Sequence, residues 1–210
     1  FPFRTAREID IGYARLQLNR ITYVGELGYE LNIPAEQAVH VYDRVVEAGR
    51  NFGLRHAGLR ALGSLRMEKG YRDYGHDIDN TDDAFETGLG FVVDLNKPDF
   101  IGKAHCVEKK VQGPAYNRRL LQVLVKDPEP LLSHAEVVYR NNKAVGYIRA
   151  ASYGFTLGGA VGLAMIEAGE PINKTYIQEG EWEIDIAGTR YPAEVSIRPM
   201  YDPKMERIKV

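Results

Sequence analysis

The segment AVGYIRAASYGFTLGGAVGLAMI, residues 144–166, contains two short runs of strand-forming residues on either side of a glycine-containing turn. Valine, isoleucine and tyrosine favour strands, and glycine favours the tight turns between them. The same alternation continues from about Arg119 to Pro199, with hairpin tips expected at 141–142 and 187–189. This spacing predicts a small antiparallel β-barrel or sandwich over residues 113–210.

The chain before residue 113 combines strands with helices. Residues 7–18 predict one strand, or two short strands broken near Gly12, and further strands are predicted over 20–24, 29–33 and 91–95. Apolar residues at helical spacing predict helices over 35–50, 59–71 and 100–111, with Leu59, Leu62, Leu65 and Met67 on or near the buried side of the second. The fold class is therefore α+β, with one domain over residues 1–112 and a β-domain over 113–210.

Composition excludes several classes of function. The 210 residues carry a net charge of −2, which gives no basic surface for nucleic acid, and no apolar run approaches the roughly 20 residues that cross a bilayer. Cys106 is the only cysteine, which rules out an internal disulfide and favours the cytosol or, in a eukaryote, the mitochondrial matrix. Because the chain begins at Phe1 with residues typical of packed structure, we expect a fragment of a longer protein.

The segment TYVGELGYELNIP, residues 22–34, places a glycine-bracketed turn between an aromatic and an acidic residue. In the strand after the turn, period-2 alternation puts Tyr29, Leu31 and Ile33 on the core face and Glu30 on the opposite face. One interpretation is an ordinary hairpin whose exposed rim carries these two side chains. The other is a site in which Tyr23 packs against a flat ring and Glu30 binds the polar edge of that ring.

Two polar segments have simpler explanations. The acidic stretch 73–83 could bind a hard cation, but it lacks EF-hand spacing and no second histidine or cysteine cluster supports zinc, so we expect a solvated loop and no metal. In the stretch 65–78, helical neighbours predict a surface lattice of salt bridges, each worth tenths of a kcal/mol, formed by Arg66, Glu68, Lys69 and Arg72. No complete dinucleotide fingerprint occurs, so any flavin domain would lie outside this chain.

Five segments carry a resemblance to a known family and follow its order along nearly the whole chain. They resemble the aminomethyltransferase family, that of the glycine-cleavage T-protein, and most of all its relatives fused behind a flavin domain, such as sarcosine and dimethylglycine dehydrogenases. The segments are FPFRTAREIDIGYA (1–14), RITYVGELGYELNIP (20–34), AGLRALGSLRMEKGYRDYGHDI (57–78), FETGLGFVVDLNKPDFIGK (85–103) and VGYIRAASYGFTLG (145–158).

The resemblance implies a fold and a cofactor. Residues 1–112 would form the second lobe of a folate-binding fold whose first lobe is missing here, and residues 113–210 its C-terminal barrel. The family pattern Y-x-G-E-x-G-x-E contacts tetrahydrofolate through its tyrosine and last glutamate, which implies Tyr23 and Glu30. Glu26, at the tip of the turn, is a weaker candidate and could equally be an exposed turn carboxylate.

Two departures from the family pattern bear on activity. An arginine that helps to hold folate in the T-protein is replaced by Leu62, and the catalytic aspartate of the family belongs to the first lobe and has no counterpart in this sequence. The catalytic residue is therefore unknown, and we expect the chain alone to be inactive as a transferase. FAD would be present only if an upstream flavin domain exists.

Three functions follow from the resemblance and the residues. The first is the folate-binding part of a sarcosine- or dimethylglycine-dehydrogenase-type protein, which passes a one-carbon unit from an iminium derived from an N-methyl amine to tetrahydrofolate. Its partners would be a small-molecule substrate and an upstream flavin domain or companion chain. The alternative is a non-catalytic interaction or regulatory module resembling the pyruvate dehydrogenase phosphatase regulatory subunit. The third is a β-rich structural domain with no ligand.

Overall fold

The computed structural model describes residues 1–112 and 116–209. The predicted domain boundary after residue 112 adjoins residues 113–115, which lie outside the described residues. By compactness the chain divides into two units: one contains residues 1–66 together with the C-terminal residues from Lys204 onward, and the other contains residues 67–203.

The first unit contains a three-stranded antiparallel sheet of order β1-β2-β3, formed by β1 (Ala6–Ile11), β2 (Ala14–Asn19) and β3 (Glu30–Asn32). A two-residue turn joins β1 to β2, and Gly12 in that turn has a φ of 62°. Of the two alternatives for residues 7–18, the pair of short strands is therefore the correct one.

One helix packs on this sheet. α1 (Ala38–Gly49) follows a 3-10 turn and buries Val41 against Ala14 and Leu16. The helix predicted over 35–50 is present as α1, which ends at Gly49. A 3-10 turn, Arg50–Phe52, follows it and is terminated by Gly53, whose φ of 71° lies in the left-handed region.

Three local predictions for the first part of the chain are wrong. Residues 20–24 do not form the expected strand: residues 20–22 have no regular structure and bends begin at Tyr23. β3 pairs with β2 instead, where Leu31 reaches the apolar cluster. The expected strand over 91–95 is replaced by a 3-10 turn, Gly90–Val92, whose Phe91 remains exposed. α2 (Leu59–Glu68) forms, but Leu59 in its first turn is exposed, since an end turn need not face the core.

The second unit is built on a closed antiparallel barrel, which confirms the predicted barrel and decides against a sandwich. Its strand order is β4-β7-β6-β5-β8-β9. The strands are β4 (Arg118–Val125), β5 (Val137–Arg140), β6 (Lys143–Gly154), β7 (Gly159–Glu167), β8 (Trp182–Ile186) and β9 (Thr189–Ser196). The described part of this unit also contains α3 (Lys103–Gln112), α4 (Lys174–Gln178) and the last residues of α2.

The barrel hairpins turn where the sequence predicts. Asn141 and Asn142 have φ values of 50° and 64°, and Ala187 and Gly188 have values of 52° and 86°, as two-residue hairpin turns require. Every residue of β7 except Glu167 is buried. One face of β7 contributes to the barrel core and the other packs in a second apolar cluster with residues such as Met67. This second cluster explains why β7 is a continuous apolar run.

Candidate functional site

The loop of residues 22–30, between β2 and β3, carries all three residues predicted to bind folate. Gly25 has a φ of 76°, a conformation that favours glycine. A Cβ at Gly28 would lie 3.1 Å from the carbonyl oxygen of Ile21, closer than ordinary packing allows. The geometry of this loop therefore favours glycine at both positions of the sequence pattern.

A buried arginine supports the loop. Arg20 is only 2% exposed, and its Nη1 donates a hydrogen bond of 3.3 Å to the carbonyl oxygen of Gly28. Its guanidinium also lies 5.2 Å from the ring centroid of Tyr29, within cation–π range. Sequence reasoning missed Arg20, because a single arginine beside a strand carries no periodic signal of burial.

The three candidate residues differ in their environments. Glu30 starts β3 and is exposed, so its predicted direction is confirmed. Leu31 and Ile33 pack against the apolar cluster, but Tyr29, also predicted on the core face, is exposed. Within residues 1–112 and 116–209, the Glu30 carboxylate forms neither a hydrogen bond nor an ion pair. Tyr23 and Glu26 are half-buried and contact other residues. Glu30 therefore retains its full capacity to accept hydrogen bonds.

In the second unit, the end of α2 forms a polar hub, defined here as Glu68, Lys69, Gln122 and Asp202. The Nζ of Lys69 donates to the Asp202 carbonyl oxygen at 2.6 Å and to its Oδ2 at 2.8 Å. The two side chains are only 1% and 9% exposed. The predicted surface salt-bridge lattice is therefore wrong: Arg66, Glu68 and Lys69 are all buried. Helical spacing identifies neighbours on a helix, but it does not show what covers them.

Glu68 holds the turn between β6 and β7. Its Oε1 accepts hydrogen bonds from the backbone N–H groups of Thr156 and Leu157, at 2.7 and 2.9 Å. A carboxylate that accepts two amides in a buried place fixes the position of this turn. Phe155, in the same turn, remains 81% exposed.

Gln122 completes the hub from the barrel wall. Its Nε2 donates to the carbonyl oxygens of Met67 and Glu68, at 2.7 and 2.9 Å, and its Oε1 accepts from the Met200 amide at 2.7 Å. The bond to Glu68 satisfies a carbonyl near the end of a helix, and the bond to Met67 gives that carbonyl a second donor beside the Gly70 amide. No sequence signal identifies Gln122 or Asp202, because each meets the end of α2 from a distant part of the chain.

Two residues that follow Lys69 along the chain, Tyr71 and Arg72, have shifted pKa values. Burial raises the pKa of Tyr71, and the nearby Asp202 carboxylate raises it further. Burial lowers the pKa of Arg72, although Asp77 opposes this shift. The Nε of Arg72 donates to the Thr87 carbonyl oxygen at 2.9 Å, which fixes the guanidinium within the second unit.

The acidic loop is solvated only in part: residues 73–76, 80 and 81 are exposed, but two of its aspartate side chains are buried. Asp77 is fully buried, and its Oδ2 accepts a hydrogen bond from the Asp73 amide at 3.0 Å. Asp82 is paired with Arg118 at 2.6 Å and with Arg149 at 3.3 Å. The amino-acid composition gives the number of charges in this loop, but it does not show that arginines elsewhere in the chain pair with one of its carboxylates. Among the described residues, no group of three or more His, Cys, Asp or Glu side chains is arranged to hold a metal ion.

None of the described helices is both long and apolar enough to cross a membrane.

Comparison with known proteins identifies the family. The GCVT N-terminal domain matches residues 1–97, and the glycine cleavage T-protein C-terminal barrel domain matches residues 118–202. The chain belongs to the aminomethyltransferase family of the glycine-cleavage T-protein. The resemblance stated from the sequence is thereby confirmed.

Three curated relatives of this aminomethyltransferase-family chain are much longer than it. The 4-methylaminobutanoate oxidase (formaldehyde-forming) of Paenarthrobacter nicotinovorans is 44% identical over 96% of this chain. The mitochondrial sarcosine dehydrogenase of Homo sapiens is 32% identical over 100% of it, and the mitochondrial pyruvate dehydrogenase phosphatase regulatory subunit of Mus musculus is 34% identical over 95%. The chain spans 23%, 23% and 24% of these proteins, respectively.

A solved structure has the same fold. The glycine cleavage system aminomethyltransferase T from Bartonella henselae is similar with a TM-score of 0.79 and 20% identity. The match covers 97% of this chain and 54% of that protein. The fold expected from the resemblance, an α+β lobe followed by a small antiparallel barrel, is confirmed.

Proposed function

We propose that this aminomethyltransferase-family chain is the folate-binding part of a sarcosine- or dimethylglycine-dehydrogenase-type protein. Its role is to help pass a one-carbon unit from an iminium, derived from an N-methyl amine, to tetrahydrofolate. The observation that carries the proposal is the exposed Glu30 carboxylate, which has no partner among the described residues and lies on a loop held by Arg20. The family match and the dehydrogenase relative support it.

The residues of the loop fit a reduced pterin. Glu30 can accept two adjacent N–H groups from the pterin edge, which gives a strong and orienting charge-assisted pair. Tyr23 offers a ring to pack on the pterin or a hydroxyl to bind it, and Glu26 is a further acceptor on the same loop. When bound, tetrahydrofolate supplies the nucleophilic nitrogen that accepts the one-carbon unit. The contribution of this chain is to hold and orient the acceptor, a proximity effect.

Calorimetry with tetrahydrofolate tests the proposal, on the full-length protein and on the 210-residue chain. Glu30→Gln removes the charge but keeps the size of the side chain, and should weaken binding roughly tenfold or more, because charge-assisted hydrogen bonds are worth about 1.5–3 kcal/mol. Glu36→Gln, an exposed glutamate in the same unit, is the matched control and should bind as the wild type does. An unchanged affinity for Glu30→Gln in the full-length protein would exclude Glu30 from the site.

A second candidate function is a non-catalytic regulatory module. The 34% identity to the pyruvate dehydrogenase phosphatase regulatory subunit favours it, because that relative matches the same part of the chain. The two candidates differ in ligand dependence. A folded full-length protein that binds no tetrahydrofolate, with or without Glu30, supports the regulatory module, whereas Glu30-dependent binding supports the enzyme part.

For a eukaryotic source we propose the mitochondrial matrix, which the mitochondrial location named for two relatives supports. For any other source we propose the cytosol. Imaging of a fluorescent fusion of the full-length protein tests this location.

A further inference from the structure

The second unit contains a cavity of about 660 Å³, a volume typical of small-molecule sites. It lies beside α4 and the end of β9, away from the 22–30 loop in sequence. Its lining combines apolar side chains with basic ones. The apolar members are Ile177, Val195 and Ile197, and the basic members are Arg119, Lys174 and Arg198.

The charged side chains that line this cavity are all positive. Three cationic side chains line it, and no Asp or Glu is among its described lining residues. A second cavity of about 380 Å³ in the same unit is balanced instead, since Arg140 and Lys143 face Glu167 and Glu170 there. The positive charge of the larger cavity is therefore not a general property of the barrel surface.

The three cations also lack the carboxylate partners that other basic residues of this unit have. Arg118, the neighbour of Arg119 in β4, forms ion pairs with Asp82, Glu86 and Glu167. Within the described ranges, none of Arg119, Lys174 and Arg198 forms an ion pair with a carboxylate.

Arg119 is the least exposed of the three. Its Nη1 donates to the Ile172 carbonyl oxygen at 3.2 Å, which fixes one edge of the guanidinium. Burial lowers the pKa of Arg119, with the nearby Tyr116 acting in the opposite direction. A partly desolvated cation without a counter-charge is destabilising, and a bound anion would offset that cost.

We propose that this cavity binds a small organic polyanion, a molecule with two or more carboxylate or phosphate groups and an apolar part. Arg119 binds one anionic group in the interior, the exposed Lys174 and Arg198 bind another at the opening, and Ile177 and Ile197 contact the apolar part. The proposal is independent of folate binding at the 22–30 loop.

Calorimetry on the 210-residue chain in 150 mM NaCl tests the site with three probes. Citrate presents several carboxylates, pyrophosphate presents two phosphates, and acetate is the monoanion control. We expect citrate or pyrophosphate to bind at least tenfold more tightly than acetate, because several cations act together. Whichever of the two binds more tightly identifies the anionic group. Absence of binding by both polyanions, or equal binding by acetate, would overturn the proposal.

Variants assign binding to the cavity. Arg198→Gln alters an exposed side chain and should fold normally, and Arg119→Gln alters the interior cation. Each should weaken polyanion binding about tenfold, the value of one charge-assisted hydrogen bond. Lys126→Gln removes one charge from an exposed lysine just after β4 that does not line the cavity, and should leave the affinity unchanged. Equal weakening by Lys126→Gln and Arg198→Gln would show general attraction by surface charge and would refute the site.

Discussion

Replacing Lys69 by methionine tests the polar hub directly. The substitution keeps the length of the side chain and removes its charge. It deletes two hydrogen bonds to Asp202, of 2.6 and 2.8 Å, and leaves that carboxylate only 9% exposed with its cation gone. The perturbation therefore isolates the effect of one buried charge on the second unit.

The expected loss in the free energy of unfolding is large. Removal of one partner from a buried ion pair typically costs about 3–5 kcal/mol.

Urea unfolding provides the measurement. Trp182 is the only tryptophan in the chain and lies in β8, where it is buried, so its fluorescence reports on the second unit. With a urea slope of about 2 kcal/mol/M, the unfolding midpoint should fall by roughly 1.5–2.5 M. Lys126→Met, at an exposed site, is the control and should change the free energy of unfolding by less than about 0.5 kcal/mol.

A double-mutant cycle decides the cause of the loss. Asparagine tolerates the φ of 42° at position 202, so Asp202→Asn removes the charge without imposing a new backbone conformation. The Lys69→Met, Asp202→Asn double variant should recover at least about 1 kcal/mol relative to the sum of the single losses. A loss below about 1 kcal/mol for Lys69→Met, or strict additivity in the cycle, would refute the buried ion pair as a determinant of stability.

Three further measurements test other parts of the structure. Gly146→Ala would place a Cβ 2.0 Å from the Met165 carbonyl oxygen, so it should destabilise the barrel by about 1–3 kcal/mol in urea unfolding. A neutral variant would contradict the register in which β6 pairs with β7. Gly63→Ala meets no atom within 4 Å inside α2 and should raise stability by about 0.5–1 kcal/mol, measured by circular dichroism; a decrease would contradict a helix there. Burial alone would raise the pKa of Asp83, but hydrogen bonds such as that from the Phe85 amide hold it below its ordinary value. Because a lowered folded-state pKa favours folding only while the carboxylate is ionised, wild type should exceed Asp83→Asn in stability above about pH 5, and this excess should disappear as the pH falls well below 4 in a urea titration.

Local patterns in the sequence predict much of the barrel and of the 22–30 loop. Hairpin tips at Asn141 and Gly188 depend on residues that favour a positive φ, which is a local property. The exposure of Glu30 depends on period-2 alternation within one short strand. Such features need no knowledge of what packs on them, and the structure confirms them.

The polar hub and the acidic loop are different, because distant residues decide them. Glu68 is buried by its bonds to residues 156 and 157, and Asp82 by arginines on two barrel strands. A helical wheel or a charge count takes only near neighbours in the sequence into account, so it predicts a surface position for both segments. The strand expected over 20–24 fails for a similar reason: β3 pairs with the earlier strand β2, where Leu31 is packed against the sheet core.

The closure of the barrel has a consequence for how such a unit can be combined with others. Each of its six strands has a hydrogen-bonded neighbour on both sides, so no strand of the cylinder presents a full-length open edge for strand addition. The three-stranded sheet differs, because β1 and β3 lie at its margins. A unit without open edge strands can be joined to unrelated polypeptides with little risk of unwanted strand pairing. Associations of the barrel must then be made by its side chains.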